Sequence, residues 1–135
     1  MMEKIFVDAN IVMDLLEKRE EFYQEAQELF TLSDKKNVKL YISALTLANV
    51  HFLLFKHLKM EARKVLAKFK VLVEVLAVDD KILDLALTSD QKDFEDAIQY
   101  YTAIENERDI IITRNKKDFK NLDLPILTAK EFLNR

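Results

Sequence analysis

Residues 93–118 read DFEDAIQYYTAIENERDIIITRNKKD, and this stretch decides the fold. Its segment Ile110-Ile111-Ile112-Thr113 is the clearest candidate for a buried strand, because β-branched apolar runs are typical of strands covered on both faces. The residues from Phe94 to Glu107 have helical spacing, and the preceding Asp93 is a residue type that caps helix N-termini. A helix that leads directly into a buried strand is part of a βαβ crossover and predicts a parallel sheet.

The rest of the chain repeats this alternation of strands and helices. Further apolar segments are predicted strands, and they are Ile5-Phe6-Val7, Leu40-Tyr41-Ile42, residues 71–78 and Leu124–Leu127. The intervening segments predict helices: one with Ile11, Val12, Leu15 and Leu16 on a single face, then residues 20–34, 44–58 after Ser43, 60–68, 80–88 and a last helix after Thr128. Strands joined by helices predict an α/β fold, a three-layer α/β/α sandwich with a central parallel sheet.

Composition narrows the class of protein. The 135 residues suit a single domain over residues 1–135, since domains cluster at about 100–200 residues. The sequence has no cysteine, which excludes disulfides, thiolate metal sites and cysteine nucleophiles. It has no glycine either, which excludes phosphate loops and dinucleotide-binding turns that need a residue without Cβ. The net charge of −3 argues against attraction of nucleic acid by bulk charge.

No segment resembles a signal peptide or a membrane span, so we expect a soluble, cytoplasmic protein with no membrane partner.

Acidic and amide side chains stand where the predicted strands end. Asp8 follows the first strand, Asn115 and Asp118 follow Ile110–Thr113, and Asp96 opens the helix that leads to that strand. Because sites of parallel sheets lie outside the carboxyl ends of the strands, we expect the three acids to converge with Asn115. Clustered carboxylates repel one another unless a cation joins them, and oxygen ligands suit Mg²⁺ or Mn²⁺ better than zinc. We therefore predict a metal site at Asp8, Asp96 and Asp118, and a catalytic site formed by these acids with Asn115.

Each acid also has a structural interpretation. Asp8 and Asp93 are candidate helix caps, a role worth about 1 kcal/mol, and acids in a first helical turn favour the helix dipole by about 0.3–1 kcal/mol. Asp79 and Asp80 are interpreted as caps of the next helix. Asp14 lies within an apolar helix, where it faces either the same cavity or solvent. The functional interpretation is favoured because three acids far apart in the sequence map to one edge of one sheet.

The sequence contains two groups of cations. Residues 56–70 hold one group, and the other, next to the predicted acidic site, consists of Arg114, Lys116, Lys117 and Lys120. Such groups are usually solvated faces. Cations beside an acidic metal centre are also what a nuclease needs to hold a phosphate backbone.

The sequence resembles a PIN domain, the nuclease fold of VapC-type toxins in toxin–antitoxin pairs. The matching segments are FVDANIVMD at residues 6–14, DFEDAIQ at 93–99 and IITRNKKDF at 111–119. The resemblance implies a Mg²⁺- or Mn²⁺-dependent endoribonuclease in which Asp8, Asp96 and Asp118 bind the metal and Asn115 is their polar partner. Arg114 and Lys116 are then the residues expected to contact the RNA substrate. The resemblance also implies a homodimer and an antitoxin protein as partner.

One position departs from the family's pattern. The family commonly has a Glu on the helix after the second strand, and here that place holds Asn49. An amide oxygen also binds cations, but one negative charge is missing, and Glu95 and Asp14 are candidates to supply it.

The alternative function is a degenerate, non-cleaving PIN domain that binds RNA or a protein. A phosphatase of the haloacid-dehalogenase type and a response-regulator receiver fit less well, because Asn10 replaces the second Asp of the former and the 79–80 acid pair follows the wrong strand for the latter.

Overall fold

The computed structural model describes residues 2–34 and 37–135, and within them strands and helices alternate along the chain. The strands are β1 (Glu3–Val7), β2 (Val38–Ser43), β3 (Glu74–Leu76), β4 (Ile110–Ile112) and β5 (Ile126–Leu127). The helices are α1 (Ala9–Leu16), α2 (Tyr23–Thr31), α3 (Ala44–Leu58), α4 (Glu61–Lys70), α5 (Asp80–Thr88), α6 (Phe94–Glu105) and α7 (Ala129–Leu133). The predicted α/β fold is confirmed.

The sheet is parallel throughout, and its strand order is β3-β2-β1-β4-β5. The first strand takes the centre because Ile5, Phe6 and Val7 are almost completely buried, which requires a neighbour on each edge and a helical layer on each face. From β1 the chain builds outward to β3 and then crosses back to β4, on the other side of β1. The direction of winding therefore reverses between β1 and β4.

Successive side chains of the central strands face two different helical layers. Ile5 and Val7 pack in a core with residues of α1, α2, α3, α4 and α7. Phe6 and Ile111 point to the opposite face, where they meet α6 and Phe119. Helix α5 packs against α6 in a further apolar cluster. This arrangement confirms the predicted three-layer sandwich. Among the described residues, no helix combines the length and apolar character needed to cross a membrane.

The predicted third strand was too long. The pattern placed it over residues 71–78, whereas β3 covers only Glu74–Leu76. Helix α4 continues to Lys70, and the amides of the two following residues, Val71 and Leu72, donate to carbonyls of that helix. These amides are therefore used by a helix-terminal turn, and Val71 is 84% exposed. A β-branched composition does not distinguish this turn from a strand.

Other elements differ at their ends. The helix predicted over residues 20–34 begins only at Tyr23 and ends in a 3₁₀ turn, and the last strand is confined to Ile126–Leu127. Pro125 has no amide hydrogen, so it joins the sheet only through its carbonyl, which accepts from the N–H of Ile111. Strand β4 ends at Ile112, which leaves Thr113 just beyond the ladder.

Four predicted N-caps are confirmed. In each, a side-chain oxygen accepts a hydrogen bond from the backbone N–H three residues further on, and the caps are Ser43, Asp79, Asp93 and Thr128. Asp8 also caps its helix, accepting from the N–H of Ala9 at 2.8 Å. Asp80 is the first residue of α5 and not its cap. These caps determine where α1, α3, α5, α6 and α7 begin, and hence where the residues of their first turns lie.

The Phe119 side chain is buried in the apolar cluster between the sheet and α6, next to the turn that contains Asp118. Its ring is 2% exposed and lies with its centroid 6.3 Å from that of Phe6 and 6.4 Å from that of Tyr100. We expect Phe119→Ala to lower the free energy of unfolding by about 3–5 kcal/mol in urea denaturation followed by circular dichroism. The control is Phe52→Ala, because Phe52 is 67% exposed and its loss is expected to cost about 0.5 kcal/mol or less. Equal losses in both variants would contradict this account of the core.

Candidate functional site

The site is positioned by the reversal of winding between β1 and β4. At such a point the loops that follow the two strands leave in opposite directions and open a crevice at the carboxyl edge of the sheet. Asp8 follows β1 directly, and Thr113 follows β4 directly. Helix α6 runs from this edge back along the sheet before β4, so its N-terminus, with Asp93 and Asp96, lies at the same edge.

Asp8 is held firmly on the β1 side of the crevice. The Thr113 hydroxyl donates to its Oδ2 at 2.8 Å, and the Ala9 N–H donates to its Oδ1 at 2.8 Å. Burial raises the pKa of the Asp8 carboxyl above its ordinary value, and the negative charge of Asp118 raises it further. The two hydrogen bonds and the cation of Arg114 act in the opposite direction. Asp8 is therefore both a helix cap and a member of the acidic group.

Asp96 lies in the first turn of α6, where the Asp93 side chain accepts from its backbone N–H at 2.9 Å. Burial is the largest of the causes that raise the pKa of Asp96 to about 6. The other causes are the negative charges of four acids: Asp118, Asp93, Asp8 and Glu95. The structure thus brings Asp8, Asp96 and Asp118 into one electrostatic environment, although they lie on three separate segments.

Asp118 belongs to a 3₁₀ turn, Lys116–Phe119, that the sequence analysis did not foresee. Its backbone N–H donates to the carbonyl of Asn115 at 3.0 Å, and the buried ring of Phe119 fixes the end of the turn. Asp96 and Asp118 line a cavity of about 680 Å³, together with Asp93, Tyr100, Lys117 and Lys120 among others. Asn115 is exposed, and its N–H donates to the Thr113 hydroxyl at 2.9 Å.

The donor chemistry of this edge fits a hard divalent cation. Its side chains offer carboxylate and amide oxygens, and the sequence has no cysteine to compete. The amide of Asn10 donates to Asp8 at 3.4 Å, and its buried Oδ1 has no hydrogen-bond partner among the described residues. Within residues 2–34 and 37–135, however, no three His, Cys, Asp or Glu side chains are grouped closely enough to form a ready coordination sphere. The acids share a charge environment and do not form a preformed cage.

Glu95 and Asp14 are the two residues predicted to supply the charge that is missing at Asn49, and their surroundings differ. The Asn49 amide donates to Glu95 Oε1 at 3.1 Å, which joins α3 to the first turn of α6 beside Asp96. Asp14 faces neither the acidic cavity nor open solvent. It is 1% exposed and accepts two hydrogen bonds from the Arg114 guanidinium, at 2.9 and 3.0 Å. The charge of Asp14 is therefore already balanced by a cation.

The two cations predicted to contact RNA also have partners within the chain. Arg114 is bound to Asp14, and the Lys116 ammonium lies 2.6 Å from a carboxylate oxygen of Glu131. Lys117 and Lys120, by contrast, line the cavity that contains Asp96 and Asp118. RNA contact by Arg114 and Lys116 stays a prediction.

Sequence reasoning assigned no role to Thr113 or Asn10. Thr113 is completely buried, and its hydroxyl both donates to Asp8 and accepts from the Asn115 N–H. The available signal was its place: a hydroxyl residue at the end of an otherwise apolar strand stands where a sheet-edge site lies. The spacing of residues in the sequence did not indicate that the Thr113 hydroxyl points toward the end of β1.

Fold and site together define a doubly wound α/β domain. Its acidic crevice lies at the switch point of the sheet, which is the reversal of winding between β1 and β4. A family model described as PIN domain matches residues 4–117. This chain belongs to the PIN domain family.

Individual relatives agree with this assignment. The chain is 28% identical to Ribonuclease VapC1 of Aquifex aeolicus over 142 aligned positions, which cover 98% of this chain and 95% of that protein. A toxin–antitoxin complex from Klebsiella pneumoniae contains a chain with 24% identity and a TM-score of 0.66, covering 93% of this chain and 97% of that one. The sarcin–ricin loop cleaving toxin VapC20 of Mycobacterium tuberculosis shares 19% identity and a TM-score of 0.63, covering 79% and 86%. At these identities the two structures bear on the fold alone.

The raised pKa of Asp96 predicts how the stability of the metal-free protein changes with pH. Its folded-state pKa of about 6 lies above the ordinary value of 3.8, so ionising Asp96 destabilises the fold. This penalty is absent below about pH 4, grows between pH 4 and 6 and is complete above pH 6. Because the side chain is partly exposed, we expect it to be on the order of 1 kcal/mol, or about 4 °C in Tm.

Asp96→Asn is therefore expected to raise the Tm in EDTA at pH 7.5 and to leave it unchanged at pH 4. The matched control is Asp84→Asn, an exposed acid on α5, which is expected to change the Tm little at either pH. A lower Tm for Asp96→Asn at pH 7.5 would show that the neighbouring acids do not oppose its charge.

Proposed function

We propose that this protein is a metal-dependent endoribonuclease that hydrolyses RNA phosphodiester bonds, and that it is the toxin of a toxin–antitoxin pair. The observation that carries the proposal is the electrostatic coupling of Asp8, Asp96 and Asp118 at the switch point of the sheet. The names of its relatives support it, since one is a ribonuclease and another a toxin that cleaves the sarcin–ricin loop.

Asp8, Asp96 and Asp118 are the residues that would hold the ion, with Asn115 as polar partner. Mg²⁺ or Mn²⁺ bound there supplies a Lewis acid that lowers the pKa of water and neutralises charge on the phosphate under attack. The charge of Asp118 raises the pKa of Asp8, and the charges of Asp118 and Asp8 raise the pKa of Asp96, so a bound cation would relieve a repulsion that the protein already carries. This explains why acids that destabilise the metal-free fold are placed together.

Neighbouring side chains keep the acids in place. The Thr113 hydroxyl orients the Asp8 carboxylate, and Asp93 fixes the first turn of α6, from which Asp96 projects. The Asn49 amide holds Glu95 beside Asp96 and in this way adds a carboxylate from α6 near the place where the family has an acid on α3. We infer that Asn49 acts through Glu95 and does not abolish activity.

RNA is held by cations at the rim of the acidic cavity. Lys117 and Lys120 line the cavity itself and would contact phosphates of an RNA bound there. Arg114 and Lys116 add positive charge to the same segment, although each is engaged by an acid of this chain. The mixture of acids and cations suits a polyanionic substrate that must approach a carboxylate cluster.

The proposed partners are an RNA substrate, an antitoxin protein and a second copy of this chain. The antitoxin is inferred from the Klebsiella pneumoniae relative, whose structure is a toxin–antitoxin complex. The homodimer follows from the family resemblance. The alternative of a non-cleaving PIN domain is not favoured, because a relative that matches 98% of the chain is named a ribonuclease.

The proposal predicts metal-dependent cleavage of a mixed RNA pool. The wild type is expected to cut with Mg²⁺ or Mn²⁺ and to be silent in EDTA. Asp8→Asn and Asp96→Asn are each expected to lower the rate at least a hundredfold without loss of the folded circular dichroism spectrum, because each removes a charge from the ion's surroundings. Gel analysis of end-labelled RNA measures the cut.

Asp84→Asn is the matched control, since it makes the same change on an exposed helix face away from the crevice. Undiminished cutting by both site variants would exclude this site. Silence of the wild type, together with cutting by Asn49→Glu, would favour the non-cleaving alternative instead.

A further inference from the structure

Asp14 is a charged side chain in an apolar setting. It belongs to α1, where its neighbours Ile11, Val12 and Met13 are buried in the main core, and it is itself 1% exposed. A buried carboxylate without a partner strongly destabilises a fold, whereas an apolar residue of similar size would fit this core without that cost. Core stability alone therefore does not explain why an acid stands here.

The partner of Asp14 comes from the segment that follows β4. Arg114 donates through Nε to one carboxylate oxygen and through its terminal nitrogen to the other, at 3.0 and 2.9 Å. Its guanidinium also lies over the ring of Phe22, 4.0 Å from the centroid. Two parallel hydrogen bonds and a stacked ring fix both the position and the plane of this group. Arg19 reaches Asp14 only at 3.5 Å and lies close to the end of α1 itself.

This ion pair is one of two attachments between the same two segments. At the start of α1, Asp8 accepts from Thr113 at 2.8 Å, and within its last turn Asp14 accepts from Arg114, the next residue along. Helix α1 is itself fixed in the main core through Ile11, Val12 and Met13. Two attachments, six residues apart, therefore hold Thr113 and Arg114 against this helix more tightly than either contact alone.

The segment held in this way leads directly to the proposed metal ligands. The Asn115 N–H bonds to Thr113, and the Asp118 N–H bonds to the carbonyl of Asn115. The position of Asp118 relative to Asp8 therefore depends on how residues 113–115 sit against α1.

We propose that Asp14 and Arg114 are positioning residues that set the distance between Asp8 and Asp118 for the ion. The inference rests on the proposed function and assigns to Arg114 a role other than contact with RNA. The pair acts through the backbone of residues 113–118 and does not itself touch the ion.

The test uses the whole 135-residue chain without metal and four variants: Arg114→Gln, the double variant Asp14→Asn/Arg114→Gln, Arg114→Lys, and Arg19→Gln as matched control. Three quantities are measured for each: the Tm, the Mn²⁺ affinity by isothermal titration calorimetry, and the hydrogen-exchange rates of the Asn115 and Asp118 amides. The double variant leaves no unpaired buried charge, so it separates stability from positioning.

Arg114→Gln is expected to lower both the Tm and the Mn²⁺ affinity, the latter about 10–100-fold, as is typical when the support of metal ligands is removed. The double variant is expected to regain most of the Tm while its Mn²⁺ affinity stays low and both amides exchange faster. Arg114→Lys keeps the charge without the planar fork, so an intermediate affinity is expected. Arg19→Gln is expected to match the wild type in affinity and exchange.

The inference is overturned if the double variant binds Mn²⁺ as tightly as the wild type, or if Arg19→Gln weakens binding as much as Arg114→Gln. If the wild type binds no Mn²⁺, the metal part of the proposed function fails and hydrogen exchange alone decides the inference. Faster exchange of the Asn115 and Asp118 amides in the double variant then supports it, and unchanged exchange overturns it.

Discussion

The hydrogen bond from the Thr113 hydroxyl to Asp8, 2.8 Å long, joins the two strands between which the sheet reverses its winding. Both residues stand just beyond their strands, and both are buried or nearly so. Through this bond the end of the central strand, the cap of α1 and the segment that leads to Asp118 form one hydrogen-bonded unit. The position of the acidic crevice depends on this unit.

The acids in the crevice work against the stability of the metal-free fold. Burial and the negative charges of neighbouring acids, Asp118 above all, raise the pKa of both Asp8 and Asp96, which means that their charged forms are disfavoured in the folded protein. Elsewhere the chain pairs its buried charge, as Asp14 does with Arg114. Asp14 is neutralised by Arg114, whereas Asp8 at the start of α1 and Asp96 at the start of α6 keep raised pKa values. This contrast is the strongest physical argument that Asp8 and Asp96 serve a cation.

Much of the fold could be predicted because its signals are local. Three isoleucines at residues 110–112 indicated a buried strand, and caps such as Ser43 and Asp93 marked helix starts. The third strand was overextended, since Val71 has a strand-like composition but its amide serves a helix-terminal turn. At the site, the rule for parallel sheets brought Asp8, Asp96 and Asp118 to one edge. The pairing of Asp14 with Arg114 and the orientation of Thr113 depend on side-chain directions across 100 or more residues, which spacing does not encode.

The location of the bound ion tests the central claim most directly. A crystal of the wild type soaked in Mn²⁺, with anomalous data collected near the manganese edge, would show where the ion binds. The account predicts one strong peak in the crevice, within ligand distance of carboxylate oxygens of Asp8, Asp96 and Asp118. A peak only at other acids of the surface, or none at a saturating concentration, would contradict the claim that this crevice is a metal site.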